Sequence, residues 1–246
     1  MQTYGLIGFP LGHSFSKNYF NQKFVDEHID AQYINFEISH IKQLNGVIEM
    51  HPEMKGFNVT IPYKEQIIPF LCQLSPEAKA IGAVNVVKIR REGRKALLKG
   101  YNTDTIAFRQ SVTNLLQPHH KQALILGTGG AAKAVAYALT QLHIKVQFVS
   151  RQQKTDCITY EQLTPEIIQT HSVIVNCTPL GMYPNADSCP PLPYHAMSAQ
   201  TLLYDLIYNP DQTLFMRNGA ARGATTKNGL EMLLLQAFLS WQIWNS

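Results

Sequence analysis

Gly127-Thr128-Gly129-Gly130-Ala131-Ala132 stands between an apolar run, Gln122 to Leu126, and an alanine-rich run of helical pattern. This is G-x-G-x-x-A between a strand and a helix, the context in which the turn receives a pyrophosphate. Gly127 permits the tight turn, Gly129 lets the backbone approach the phosphates, and Ala132 keeps helix and strand close. The amides at the helix start, Gly130 and Ala131, face the phosphates with the positive end of the helix dipole behind them. The end of the next strand distinguishes the two dinucleotides. An NAD site carries Asp or Glu about 20 residues after the turn to accept from a ribose hydroxyl. Here the strand from Lys145 runs into Ser150-Arg151-Gln152-Gln153-Lys154, with no carboxylate. Arg151 and Lys154 are placed for charge-assisted hydrogen bonds to a 2′-phosphate, which favours NADP. The plainer alternative is a glycine turn that binds nothing, with both cations merely solvated.

A second group of residues lies in the first hundred or so. Asn58-Val59-Thr60-Ile61-Pro62-Tyr63-Lys64 ends a strand in polar groups and sets a lysine at the following helix start. A lysine there is disfavoured as a cation, which suits it to proton transfer near neutrality. Asn102-Thr103-Asp104 follows another strand and supplies a carboxylate to orient such a lysine. Ser14 and Ser16 flank a phenylalanine just after the first strand, where hydroxyls can hold a carboxylate. Taken singly, Ser16 reads as an N-cap, Asp104 as a cap for the next helix and Lys64 as a surface lysine. Their joint placement at strand C-terminal ends is the argument for a site.

The elements that must position these groups alternate from the start, which predicts α/β folding on mainly parallel sheets. Strands are expected at Thr3 to Ile7, Gln32 to Ile38, Gly56 to Ile61, Val84 to Ile89 and Ala96 to Leu98, the last two flanking a Glu92-Gly93 hairpin at the sheet edge. Helices are expected from Ser16 to about His28, Ile41 to Met50, near Lys64, and Thr105 to Leu116. Gln122 to Leu126, Ala131 to Leu142 and Lys145 to Val149 form one βαβ unit. Strands follow at Val173 to Asn176, Leu202 to Leu206 and Ala224 to Thr226. The last helix, Leu230 to Trp244, is strongly apolar and must pack against something. The implied division is a substrate domain (1–104), a connecting helix (105–118), a Rossmann-like NADP domain (119–227) and a C-terminal helix (228–246) packing back on the first domain.

Composition narrows the partners. A 45% hydrophobic content can fill real cores, and no apolar run reaches the length of a membrane span. No signal-peptide pattern is read at the N-terminus, so a cytoplasmic setting is expected. The net charge of +4 is too small and dispersed for nucleic acid, yet suits anionic small molecules. Cys72, Cys157, Cys177 and Cys189 lack CxxC spacing and read as reduced, mostly buried thiols; no metal site is expected.

In order and spacing, the chain resembles the shikimate dehydrogenase family. The resemblance rests on Gly12-His13-Ser14-Phe15-Ser16, the stretch from Asn58 to Glu65, Gly82-Ala83-Val84-Asn85, Asn102-Thr103-Asp104 and the stretch from Gly127 to Lys133. It continues through Asn176-Cys177-Thr178-Pro179-Leu180-Gly181-Met182, Tyr204-Asp205-Leu206-Ile207-Tyr208 and Asn228-Gly229-Leu230-Glu231-Met232-Leu233, followed by Gln236. It implies two α/β domains with the substrate in the cleft between them, and reversible NADPH-dependent reduction of 3-dehydroshikimate to shikimate. Carried over by position, Ser14 and Ser16 would bind the substrate carboxylate, with Tyr208 nearby. Asn58, Thr60, Asn85, Asp104 and Gln236 would hold ring hydroxyls, and Lys64 and Asp104 would be the catalytic pair. Asn176, Thr178 and Met182 would line the dinucleotide site, Gly229 would approach the nicotinamide, and Met232 would pack nearby or serve the core. A monomer or a homodimer is expected. The chain departs from the family at Lys17, where proline is usual, at Phe20, where histidine is common, and at Ser150-Arg151-Gln152, where Asn-Arg-Thr is usual. The alternatives are a quinate/shikimate dehydrogenase of broader substrate or NAD use, an aminoshikimate relative, and a non-catalytic dinucleotide-sensing module.

Overall fold

A computed structural model describes residues 1–12, 15–93 and 95–246; Ser14, a carboxylate-binding expectation, lies outside the described residues. The chain divides into two compact units, Met1–Thr103 with Ala237–Ser246, and Asp104–Gln236. Each is built on a six-stranded sheet.

In the first unit, β1 (Gln2–Gly8), α1 (Phe15–Asp26), β2 (Ala31–Glu37), α2 (Leu44–Met50), β3 (Met54–Val59) and α3 (Tyr63–Gln66) come first. They are followed by β4 (Gln73–Leu74), α4 (Pro76–Ile81), β5 (Val86–Glu92) and β6 (Lys95–Tyr101). The strand order is β2-β1-β3-β5-β6-β4. Pairs β1–β2, β1–β3 and β4–β6 are parallel, whereas β3–β5 and β5–β6 are antiparallel. The β5–β6 hairpin forms as expected but is not the edge, because two-residue β4 pairs outside it. Chain direction splits between β1 and β3, and their C-terminal ends lie side by side, with Thr60 N–H donating to Ile7 C=O and Phe9 N–H to Ile61 C=O. Such a switch point is where open α/β sheets bind ligands.

The second unit runs α5 (Asp104–Thr113), β7 (Gln122–Leu126), α6 (Gly130–Gln141), β8 (Lys145–Ser150), β9 (Cys157–Thr159), α7 (Pro165–Thr170) and β10 (Val173–Asn176). β11 (Leu202–Asp205), α8 (Leu214–Ala220), β12 (Thr225–Lys227) and α9 (Leu230–Asn245) complete it, α9 passing into the first unit at Ala237. Every pair in the sheet is parallel, in the order β12-β11-β10-β7-β8-β9. That is the doubly wound dinucleotide-binding order, with its switch point between β7 and β10.

The apolar character of α9 is explained within the first unit. Ala237 and Trp244 join Tyr4, Phe20, Phe24, Tyr33 and Val86 in one core cluster. Trp244 seats on the bare backbone of Gly56 and donates its indole N–H to Val87 C=O at 3.0 Å. Among the described residues no helix is long and apolar enough to cross a membrane.

Two local expectations are corrected. Ser16 is not an N-cap; it lies inside the first turn of α1, which begins at Phe15. The cysteines are not mostly buried: Cys72 is exposed and Cys157, Cys177 and Cys189 are half-buried.

Candidate active site

In the second unit the glycine turn has the backbone its sequence demands. Gly127 holds φ at +105°, a region L side chains avoid, and its Cα faces Cys177 and Thr178 across the switch point. Gly129 is the N-cap of α6, with no side chain capping the helix. Lys133 N–H is bonded back to Gly129 C=O, so the amides of Gly130, Ala131 and Ala132 precede the helix ladder. A Cβ added at Gly129 would meet nothing within 4 Å. The space on that side of Gly129 is open.

The β8 end closes one flank. Ser150 is buried and its Oγ accepts from Gln152 N–H at 3.3 Å. Arg151 is exposed. Lys154 reaches back to the turn, its Nζ donating to Thr128 Oγ1 at 2.9 Å. A cation is thereby fixed against the glycine turn, which fits a phosphorylated dinucleotide.

On the other flank the loop after β10 is tied down by a group whose role the sequence did not reveal. Asn176 Oδ1 accepts from Thr178 N–H at 3.0 Å and Thr178 Oγ1 at 2.6 Å. Asn176 Nδ2 donates to Leu180 C=O at 3.3 Å and to Asp205 Oδ1 at 3.0 Å. Asp205 is wholly buried and also accepts from Ile207 N–H at 3.1 Å and Thr213 Oγ1 at 2.6 Å. Burial pushes its carboxyl up to about 6, against the lowering effect of these three donors. Asp205 sits in the motif from Tyr204 to Tyr208, and that position was the available signal.

Met182 is 46% exposed, whereas Met232 is buried. Gly229 donates its N–H to Ile207 C=O at 3.0 Å, and a Cβ there would stand 2.1 Å from Leu206 C=O. Tyr208 is half-buried, and burial raises its phenol. Gln236 folds its Nε2 onto Leu233 C=O at 2.9 Å.

In the first unit the polar residues at strand ends form a connected cluster. Tyr33 Oη donates to Asn58 Oδ1 at 2.8 Å, and Ser16 bonds the same Tyr33 hydroxyl. Asn85 Nδ2 donates to Thr103 Oγ1 at 2.9 Å, and Thr103 N–H returns to Asn85 Oδ1 at 2.7 Å. Asn85 C=O accepts from Val59 N–H at 2.9 Å, and Lys64 C=O accepts from Val84 N–H at 2.7 Å. Thus Ser16, Asn58, Thr60, Lys64 and Asn85 share one corner of the sheet. Tyr63 anchors α3 by donating its hydroxyl to Ile38 C=O at 2.6 Å, which fixes the turn carrying Lys64. Asp104 is buried and opens α5 in the second unit.

A family profile described as the shikimate dehydrogenase substrate binding domain matches residues 6–87. A shikimate dehydrogenase (NADP(+)) of Desulforamulus reducens is 35% identical over 269 residues, covering 99% of this chain and 89% of the relative. The chain belongs to the shikimate dehydrogenase family. Among solved structures, shikimate dehydrogenase from Aquifex aeolicus superimposes with a TM-score of 0.86 at 35% identity, covering 99% of this chain and 92% of that one. The Thermus thermophilus shikimate 5-dehydrogenase, solved with NADP(H) and shikimate, gives 0.84 at 28% identity over 99% and 93%. In family terms, the corner at β1 and β3 belongs to the domain matched as substrate-binding, and the glycine turn lies in the other unit.

Proposed function

We propose that this member of the family catalyses the reversible NADPH-dependent reduction of 3-dehydroshikimate to shikimate, acting in the cytoplasm as a monomer or homodimer. The observation that carries the cofactor half is the glycine turn with open space at Gly129 and Lys154 fixed on Thr128. A phosphate at the ribose 2′ position meets two cations there, Lys154 and Arg151, and no carboxylate. Gly130 and Ala131 bind the diphosphate through their N–H groups, with Ser150, Asn176, Thr178, Met182, Gly229 and Met232 completing the dinucleotide site. NADPH, when bound, supplies the hydride.

The chain's own residues handle the substrate and the proton. Ser16, with Ser14, binds the carboxylate, and Tyr208 lies near it. Asn58, Thr60, Asn85, Asp104 and Gln236 hold the ring hydroxyls. Lys64 gives a proton to the oxygen that becomes the new hydroxyl and takes it back in the oxidation. Asp104 is the partner that orients Lys64 and a neighbouring hydroxyl.

The test follows absorbance at 340 nm with purified protein and shikimate, offering NADP and NAD in parallel, then quinate in place of shikimate. Turnover with shikimate and NADP alone supports the proposal. Comparable rates with NAD or quinate move the chain to the broader-specificity reading. Cofactor binding without turnover of either substrate overturns the enzymatic assignment in favour of a sensing module.

A further inference from the structure

Asn58 is buried, and the bonds around its amide leave one orientation. Its nitrogen faces Asn85 C=O at 3.3 Å and Ser240 Oγ at 2.9 Å. A backbone carbonyl only accepts, so the NH₂ must lie on that side. The amide oxygen then faces Tyr33, 2.8 Å away. An amide oxygen also only accepts, so the Tyr33 O–H must donate its single hydrogen to it. Both amide hydrogens are thereby directed into the protein, and what Asn58 can offer a ligand is the second lone pair of Oδ1.

Tyr33 is held in place through both its ring and its backbone. Its ring stacks on Phe20 with centroids 4.9 Å apart and planes 12° apart. Its backbone is clamped by Asn21, which accepts from Tyr33 N–H at 2.8 Å and donates to Tyr33 C=O at 3.0 Å. The ring is fully buried, and desolvation keeps the phenol in its neutral, donating form. The hydrogen that orients Asn58 is therefore present across the working pH range.

We propose that Tyr33 is a positioning residue which, with Ser240, fixes Asn58 as a pure hydrogen-bond acceptor, so that the substrate must present a donating hydroxyl at that point. This rests on the reading of Asn58 as a group that faces the substrate ring. A site built this way rejects an analogue that lacks the donor, because the buried acceptor is left unpaired. Phe20 contributes indirectly by stacking on the Tyr33 ring; Ser16, which also bonds the Tyr33 hydroxyl, must act as donor there, because the one Tyr33 hydrogen is directed at Asn58.

The experiment compares shikimate with analogues in which each ring hydroxyl other than the one oxidised is in turn replaced by fluorine, which accepts weakly and cannot donate. NADP is kept saturating throughout. In the unmodified enzyme one fluoro analogue should lose ~100-fold or more in kcat/KM. Tyr33→Phe keeps the ring stack and removes only the hydroxyl. It should raise KM for shikimate ~10-fold with kcat within ~2-fold, and compress the hydroxyl-over-fluorine preference by ~5-fold or more. A merely structural tyrosine would move KM or stability but leave that preference intact, and an unchanged preference overturns the proposal. Should Tyr33→Phe fail to fold, the unmodified protein still reports the orientation. Nuclear Overhauser contacts of the Asn58 amide protons should reach Ser240 Hβ, and contacts to the Tyr33 ring instead overturn the proposal. If the unmodified enzyme does not turn over shikimate at all, the substrate reading fails, whereas the amide orientation is still decided by the Overhauser contacts.

Discussion

Asp205→Asn removes the one buried carboxyl that ties β10, β11 and the start of α8 together, and its effect should depend on pH in a defined sense. Desolvation lifts the Asp205 carboxyl from its ordinary 3.8 to about 6. A rise of about two pH units, at ~1.4 kcal/mol each, corresponds to ~3 kcal/mol. The folded value lies above the unfolded one, so the native state binds this proton more tightly than the unfolded chain does. Its contribution to stability is therefore full below about pH 4 and is lost as the pH rises through 6. About 2 kcal/mol of that loss falls between pH 4.5 and 7.5. Asparagine cannot titrate, but it also replaces one acceptor oxygen by a donor against Asn176, Ile207 and Thr213. That second effect does not vary with pH, so it cancels when the wild-type minus variant stability is compared across pH. Urea unfolding followed by far-ultraviolet circular dichroism is the appropriate assay. The two tryptophans, Trp241 and Trp244, belong to the first unit, so their emission reports a region that does not contain Asp205. The wild-type minus variant difference should fall by ~2 kcal/mol from pH 4.5 to 7.5 and flatten above it. A flat difference, or one rising with pH, would refute the reasoning, because it would mean that the three donors outweigh the burial.

Gly129→Ala should leave the melting temperature unchanged, since the added methyl meets nothing, yet weaken NADP binding at least ~10-fold by blocking phosphate approach; thermal unfolding without cofactor checks the first half and fluorescence titration of NADPH the second. Lys154→Ala should raise KM for NADP by ~10- to 100-fold, the worth of a charge-assisted bond, while KM for NAD stays within ~2-fold. Equal loss with the two cofactors would remove Lys154 from 2′-phosphate recognition. Lys64→Ala should lower kcat by ~100-fold or more while shikimate affinity, measured by calorimetry, changes little; near-normal turnover sinks the proton-transfer role. Gly56→Ala places a methyl 2.3 Å from Trp244 Cδ1 and 2.6 Å from Val87 C=O. It should cost ~3 kcal/mol through overpacking and shift tryptophan emission to the red, read by urea unfolding.

Periodicity and punctuation located the long elements well. Gln122–Leu126 and Val173–Asn176 form with the boundaries their sequence suggests, because each is an apolar run with one polar residue at one end, bounded by turn residues. The helices absent from the sequence reading, α4, α7 and α8, span only six or seven residues, too few for a helical period to register. Each nevertheless begins with a hydroxyl cap: Ser75 accepts from Ala78 N–H, Thr164 from Ile167 N–H and Thr213 from Met216 N–H. Ser75-Pro76-Glu77 and Thr164-Pro165-Glu166 carry that signal openly. Ser16 was misread as a cap because a hydroxyl near a helix start has two uses, and its bond to Tyr33 depends on a strand that pairs elsewhere in the sequence. The same holds for Tyr33, Asn58 and Ser240, separated by 25 and 182 residues. No local pattern joins them; only the packing of α1 and α9 on the sheet does.

The first unit is discontinuous along the chain. Its core takes Trp244 and Ala237 from a segment that follows the whole of the second unit. A ribosome releasing the chain from its N-terminus therefore delivers β1 through β6 long before the side chains that seal them. Until residues 237–246 emerge, Tyr4, Phe20, Phe24 and Tyr33 lack their tryptophan partner, and Asn58 lacks Ser240. The second unit, by contrast, is one unbroken stretch and can complete its sheet first. Domains usually mature in the order in which they are made. Here the unit that begins first finishes last, and nascent chains stalled before Ala237 should expose the incomplete face to chaperones and proteases.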